Sequence, residues 1–183
     1  MTISPYPDQY TAPFRLRDGT EVTVRAIRPE DEPLIVALHA RHSEHTIRMR
    51  FFSLVKTLSR DSLARLCRLD YDGAMALVAV ARTEAGEQIW GVSRYYLDRQ
   101  TGEAEFALVV DDAHQRQGLG RHLMQRLIVI ARERGVRRLV GQVLRENGPM
   151  LDLMRSLGLR HAATLEGDVV GVEMDLTGAA PQR

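Results

Sequence analysis

The sequence predicts a single α/β domain of the α+β kind, with a mixed, mainly antiparallel central sheet flanked by helices, and three observations carry that prediction. The chain has 183 residues, enough to bury one real core. Hydrophobic residues make up 44% and charged residues 27%, the balance of a folded globular chain and not of a disordered one. Three strand-like segments follow one another across short turns between 74 and 110, and helical periodicity brackets them on both sides.

Met1 to Pro13 holds three prolines and little apolar periodicity, so residues 1–13 read as a loosely ordered arm, 14–176 as the folded domain and 177–183 as a tail. Arg17-Asp18-Gly19-Thr20 signals a turn, and Glu21 to Ile27 alternates at period two as a half-buried strand does. Pro29-Glu30-Asp31-Glu32 places acidic groups in a first helical turn, followed by Leu34, Ile35, Leu38 and His39 at helical spacing to about Arg41. A second helix is expected near Ser43 to Arg50, and a third runs from an N-cap at Ser59 through Leu63, Leu66 and Cys67.

Ala74 to Arg82 is a continuous apolar run and reads as a buried strand; Gln88 to Leu97 and Glu103 to Val110 follow it in antiparallel succession. Gly118 to Gly135 is an amphipathic helix ending at a glycine suited to the position just past its C-terminus. A strand from Arg137 to Leu144, a helix from about Pro149 to Leu157, and strands near Arg160 to Leu165 and Asp168 to Asp175 complete the chain.

The net charge is +1, from 25 basic and 24 acidic side chains, so no bulk field draws the protein to nucleic acid or to an anionic membrane. The longest apolar run, Gly73 to Ala81, is far short of the ~20 residues of a spanning helix. Met1 to Pro13 lacks the basic and apolar regions of a secretory signal, so the expected address is the cytoplasm. Lys56 is the only lysine among the 25 basic residues, which reads as compositional bias. The lone Cys67 lies on a helix face and is expected to pack in the core.

Chemistry concentrates in Val109-Val110-Asp111-Asp112-Ala113-His114-Gln115-Arg116-Gln117-Gly118-Leu119-Gly120-Arg121: strand, polar loop, glycines, helix. Glycines at a helix N-terminus let backbone N–H groups approach an anion, and the helix dipole adds roughly half a positive charge there. Arg116 and Arg121 supply charge-assisted bonds, so the segment reads as a pyrophosphate cradle. It is not a dinucleotide fingerprint, since Leu123 stands where the third glycine belongs, and it is not a Walker loop, which needs Gly-Lys-Ser/Thr.

The hexapeptide Gln115-Arg116-Gln117-Gly118-Leu119-Gly120 resembles the acyl-CoA signature of the GNAT N-acetyltransferases, and the order of strands and helices from Val22 to about Asp175 is similar to the whole GNAT domain. Ile27-Arg28-Pro29-Glu30-Asp31 and Asn147 extend that likeness. More narrowly, Arg50-Phe51-Phe52-Ser53, Leu69-Asp70-Tyr71-Asp72 and Ala104-Glu105-Phe106-Ala107 resemble the acetyltransferase domain of Pat-type bacterial protein lysine acetyltransferases. The resemblance implies acetyl transfer from acetyl-CoA, a cosubstrate, to a lysine amine on an acceptor protein, typically an AMP-forming acyl-CoA synthetase. Larger members of that group carry a regulatory or cyclic-nucleotide-binding domain, for which this chain has no room. It also implies that the backbone of Leu108 and Val110 binds the acetyl carbonyl and pantetheine arm, that Gln115, Arg116, Gln117, Gly118, Leu119, Gly120 and Arg121 hold the pyrophosphate, and that Asn147 bonds the pantetheine. Many members place a tyrosine seven residues after this asparagine to protonate the leaving thiolate; Met154 stands there, which leaves the general acid unassigned.

The residues argue a base independently. A lysine amine of pKa about 10.4 is neutral in about one molecule in a few thousand at pH 7, a cost of roughly 4–5 kcal/mol before attack. Alternation puts Glu103, Glu105, Ala107 and Val109 on one strand face, and Glu105, nearer the phosphate loop, is the expected general base, as the resemblance also implies. Glu103 reads as a solvated strand end. His39, His42 and His45 recur at intervals of three but do not share one helix face, so no metal is expected. The arginines at 132, 134, 137 and 138 read as a solvated face, and Tyr71, Tyr95 and Tyr96 as packing. Acetylation of a small-molecule amine or a protein N-terminus, and a non-catalytic acyl-CoA sensor, are the competing readings.

Overall fold

The sheet grows outward from a strand whose side chains are buried on both faces, β3 (Ala74–Thr83). A computed structural model of the chain describes residues 5–51, 58–164 and 167–178. Before β3 come β1 (Ala12–Arg15), β2 (Glu21–Ala26) and three helices, α1 (Glu32–Arg41), α2 (Glu44–Phe51) and α3 (Arg60–Cys67). After it come β4 (Gly86–Asp98), β5 (Glu103–Val110), α4 (Leu119–Glu133), β6 (Arg138–Leu144), α5 (Gly148–Ser156), β7 (Arg160–Thr164) and β8 (Val169–Asp175). Among the described residues the strands form one sheet in the order β1-β2-β3-β4-β5-β6-β8-β7. Every neighbouring pair is antiparallel except β5 and β6. This is the mixed, mainly antiparallel sheet that the sequence predicts.

Period two explains the layers. On one face of β3, Met75, Leu77, Ala79 and Ala81 pack with Leu123, Met124, Leu127 and Ile130 of α4; on the other, Ala76, Val78 and Val80 pack with Ile35 and Leu38 of α1 and with Cys67. α4 is amphipathic along its whole length, which is why it lies flat on the sheet. α3 starts where expected, with Ser59 Oγ accepting a 3.1 Å bond from Ser62 N.

Pairing of β5 with β6 is confined to Glu103–Glu105 against Arg138–Val140, and beyond that the two parallel strands part. Gly141 sits at the fork. A Cβ there would meet Phe106 Cε1 at 2.4 Å, so the missing side chain is what lets the Phe106 ring wedge between the strands.

One expectation needs correction. The stretch read as a loose arm is packed from Tyr6 onward: Tyr6 OH donates to Ala26 O at 2.7 Å, its ring meets Tyr71 edge-on, and the Arg28 guanidinium lies over it at 4.8 Å. Ala12 and Pro13 already belong to β1, an edge strand, where a proline withdraws no bond that a neighbour needs. Lys56, Phe52 and Ser53, with Leu165 and the end of the tail, lie outside the described residues. No helix among the described residues is long and apolar enough to cross a membrane.

Cys67 is fully buried, and burial pushes its thiol up to about 11. A thiol-specific reagent at a pH of about 8, near the ordinary thiol pKa, is therefore expected to label no cysteine in the native protein and one in denaturant. Rapid labelling without denaturant would show this helix to be open in solution.

Candidate functional site

The polar loop after β5 is fixed by its own carboxylates. Asp111, almost fully buried, accepts from Ala113 N at 3.1 Å and from Arg41 Nε at 2.6 Å, and Arg41 also donates to Ile89 O at 2.8 Å. Asp112 accepts from Ser43 N at 2.6 Å, from the Thr46 hydroxyl, and from Gln115 Nε2 at 3.1 Å. Burial raises its carboxyl, but the bonds from Thr46 and Ser43 outweigh it and hold the group below the usual carboxylate range. Asp112 thus ties the start of α2 to the phosphate loop, a link that no local sequence pattern signals.

The loop itself uses uncommon backbone. Gly118, at the N-cap of α4, has φ +87°, and Arg116 has φ +60°, a left-handed conformation that costs a non-glycine residue of the order of 1–3 kcal/mol. The β1–β2 turn braces it from outside: Arg17 N donates to Gln117 O at 3.1 Å, Asp18 N to Gln117 Oε1 at 3.1 Å, and Arg17 Nη1 to Arg116 O at 3.2 Å. Phe14 stacks on His122 with ring centroids 3.9 Å apart. No acidic residue occupies the first turn of α4, so its positive dipole end stays uncompensated.

Three cavities meet beside β5. The largest, about 580 Å³, is a groove between the phosphate loop and α5. Leu108, Val110, Gln115, Arg116, Gly118, Gly120, Arg121 and Asn147, all expected from the sequence, line it, and so does Arg17, which was not expected. Its carboxylates are partnered: Glu146 by Arg48 at 2.9 Å and Asp152 by Arg155 at 3.0 Å. Arg121 crosses the groove to donate to Ser156 Oγ at 2.6 Å. Uncompensated cations, an open helix N-terminus and a left-handed glycine fit a pyrophosphate-bearing ligand.

Two of the expected residues turn their side chains away from the groove. The Gln117 side chain is engaged by the β1–β2 turn, and Leu119 is 1% exposed in the core beneath the sheet, so only the backbone of these two residues is left for a phosphate. Asn147 Oδ1 caps α5 by accepting from Met150 N at 3.3 Å. Met154 is fully buried in the core, so this position offers no proton donor to the groove.

The second cavity, about 240 Å³, lies in the fork, lined by Ala107 and Leu108 of β5 and by Gln142 and Val143 of β6. Glu105 stands on its wall, across the strand pair from Tyr96. Among the described residues nothing forms an ion pair or hydrogen bond with the Glu105 carboxylate. Glu103, by contrast, is bound to Arg138 at 2.9 Å, which corrects the expectation of a merely solvated strand end. Tyr96 OH donates to Arg65 O at 3.2 Å, and Arg94, 5% exposed, donates to Leu66 O at 3.0 Å and to Tyr96 OH at 3.2 Å. These two side chains cap the C-terminal carbonyls of α3. The third cavity, about 40 Å³, is mainly apolar and lies under α1 and α3 against Val92, Ala107 and Val109.

The remaining candidates disperse. Arg134 donates to Tyr71 O, and Arg138 bridges Glu103 and Glu173, so the basic cluster is divided among separate tasks. Tyr71 donates to Ile27 O, and burial raises its hydroxyl pKa far above the usual range; Tyr95 is buried and pushed up to about 12. Among the described residues no three His, Cys, Asp or Glu side chains gather as a metal site.

Comparison with known proteins agrees with this geometry. Residues 42–159 match the profile of the acetyltransferase (GNAT) family. An acetyltransferase of Pseudomonas aeruginosa is 34% identical over 143 residues, covering 78% of this chain and 77% of its own. The crystal structure of the GNAT domain of S. lividans PAT superposes with a TM-score of 0.84 at 30% identity, covering 93% of this chain and 99% of that one. A putative acetyltransferase from Salmonella typhimurium, solved with acetyl-CoA, shares the fold with a TM-score of 0.68 at 24% identity, over 88% and 98% of the two chains.

Proposed function

Because the chain belongs to the acetyltransferase (GNAT) family and is an acetyl-CoA-dependent N-acetyltransferase, we propose that its acceptor is a lysine side chain on a protein, with an AMP-forming acyl-CoA synthetase the first to test. The observation that carries this reading is the fork cavity with Glu105 on its wall. It opens beside Glu105 and Tyr96, the latter 43% exposed, so a long side chain on another protein can reach the carboxylate without the rest of that protein entering. A lysine, with a four-carbon stem and a compact charge, suits such a channel. Likeness to the S. lividans PAT domain over nearly the whole chain supports it further.

Acetyl-CoA, when bound, supplies an activated acetyl thioester. In this reading the N-terminus of α4, the Gln115–Arg121 backbone and Arg116 hold its pyrophosphate, and Asn147 bonds the pantetheine arm. Backbone groups of Leu108 and Val110 align the arm along the parted strand. A β5 N–H aimed at the acetyl oxygen stabilises negative charge that develops during attack. Glu105 takes the amine proton, directly or through water, so attack proceeds in a ternary complex without an acyl-enzyme.

The test is to incubate the protein with acetyl-CoA and a purified acyl-CoA synthetase, following CoA release and locating acetyl groups by mass spectrometry. Acetyl-lysine on the synthetase, dependent on the enzyme, is the expected result. Turnover with small amines or a protein N-terminus but no protein lysine would replace the acceptor class, and binding of acetyl-CoA with no turnover on any amine would favour a sensor.

A further inference from the structure

During attack the acyl carbon carries four groups: its oxygen faces the β5 backbone, and each of the other three has its own cavity. Its sulfur comes from the large groove, the attacking nitrogen enters through the fork, and the methyl group suits the small apolar chamber. The reacting centre therefore belongs where the cavities meet. Several residues border two of them, including Arg94, Ala107, Leu108 and Val109, but Arg50, near the C-terminal end of α2, lines all three. We propose that Arg50 is a catalytic residue of the acetyl transfer, its guanidinium pairing with the coenzyme A thiolate as it leaves. This rests on the groove being the acetyl-CoA site.

The role is otherwise unfilled. Met154, at the position from which many relatives protonate the thiolate, lies wholly in the core. Arg94 is less well placed, because its Nη1 already donates to Leu66 O and to the Tyr96 hydroxyl and it borders the small chamber and the fork but not the groove that supplies the sulfur. Arg50 is half-buried and rests against the Phe51 ring at 4.8 Å; among the described residues no hydrogen bond or ion pair joins its guanidinium. A guanidinium carries five donors and no acceptor, so holding one there without a partner is costly unless an anion arrives.

Burial, and then the like charge of Arg94, push Arg50 down to about 10, while Tyr96 and Glu105 oppose the fall. It stays charged at neutral pH and is poorly compensated, which is the condition for strong pairing with a transient anion. The other titratable groups on the cavity walls are His39 and His42 in the small chamber and Arg17, His45, Arg116, Arg121, Glu146 and Asp152 in the groove.

The step balances without a further reactant. The amine lone pair forms the nitrogen–carbon bond, its proton passes to Glu105, and the carbon–sulfur bond breaks with its electron pair on sulfur beside Arg50. Water then protonates the sulfur, and Glu105 returns its proton to solvent. A guanidinium suits this work better than an acid would, since a thiol of pKa about 8.5 leaves readily once its negative charge is matched.

The experiment measures the pKa of the coenzyme A thiol on the protein, from thiolate ultraviolet absorption, in wild type, Arg50→Lys and Arg50→Gln. Binding of desulfo-coenzyme A, which lacks the sulfur, serves as the control. In wild type the bound thiol should ionise below its free pKa, Arg50→Lys should keep part of the shift, and Arg50→Gln should abolish it. Desulfo-coenzyme A should bind all three alike, while kcat of Arg50→Gln falls about 10²–10³-fold, the cost of removing one donor from a developing anion. An identical thiol pKa in wild type and Arg50→Gln would overturn the assignment. So would equal loss of both ligands in the variants, which would make Arg50 a wall of the groove and no more. If wild type bound neither ligand, the acetyl-CoA reading of the groove would itself fail and take this inference with it.

Discussion

Replacing Glu105 with glutamine is expected to lower kcat about 10²–10⁴-fold and to leave the affinity for acetyl-CoA unchanged. The amide keeps the size of the side chain but cannot accept the amine proton. Glu105 lines the fork and not the phosphate groove, so calorimetric binding of acetyl-CoA should not register the change. The loss belongs in kcat because the interaction is made only as the amine gives up its proton. Glu103→Gln is the matched control: two residues away on the same strand, its carboxylate is already held by Arg138 at 2.9 Å and does not border the fork. Near-normal kcat in that variant, beside a collapsed rate in Glu105→Gln, assigns the base. Undiminished turnover of Glu105→Gln would move the base to water or to a group on the acceptor.

What the sequence made legible, and what it hid, divides by range of interaction. The strand–loop–helix from Glu103 to Glu133 was readable because its determinants are local: alternation along β5, left-handed backbone at Gly118, and a continuous apolar face on α4. β1 was missed because four residues with alternating partial burial, ending an arm rich in proline, carry too little pattern to stand out. It pairs with β2 across a short turn, and what that turn braces, Gln117 through Arg17 and Asp18, lies far along the chain. Gln117 and Leu119 illustrate the converse: a motif fixed the backbone path, but it could not say that one side chain turns to a hairpin and the other into the core. Arg50 could be noticed in a motif, yet its place at the junction of three cavities depends on the packing of α2 against β5.

In the sequence Asp31 is one of several acids favouring a helix N-terminus, and its role in the structure predicts a large stability effect. It is 3% exposed and closes two bonds with Arg25, from Nη1 at 2.8 Å and from Nη2 at 2.7 Å; it also accepts from Arg28 N at 2.8 Å. Arg25, itself 8% exposed, has its pKa raised first of all by those bonds, against the effect of burial, and Nη1 also donates to Ala26 O at 3.0 Å. Asp31→Ala would strand this guanidinium in the interior, at a cost of about 3–5 kcal/mol. For a domain of this size that corresponds to a fall in Tm of about 10 °C, measurable by calorimetry. The loss should arise from the abandoned charge and not from the missing bond, and a second variant separates the two. In Arg25→Met/Asp31→Leu no charge remains to be stranded, so most of the stability should return even though every bond of the pair is gone. A double variant as unstable as Asp31→Ala would instead place the value of the pair in holding β2 to the start of α1, the link through which the sheet carries the helices that cover the small cavity.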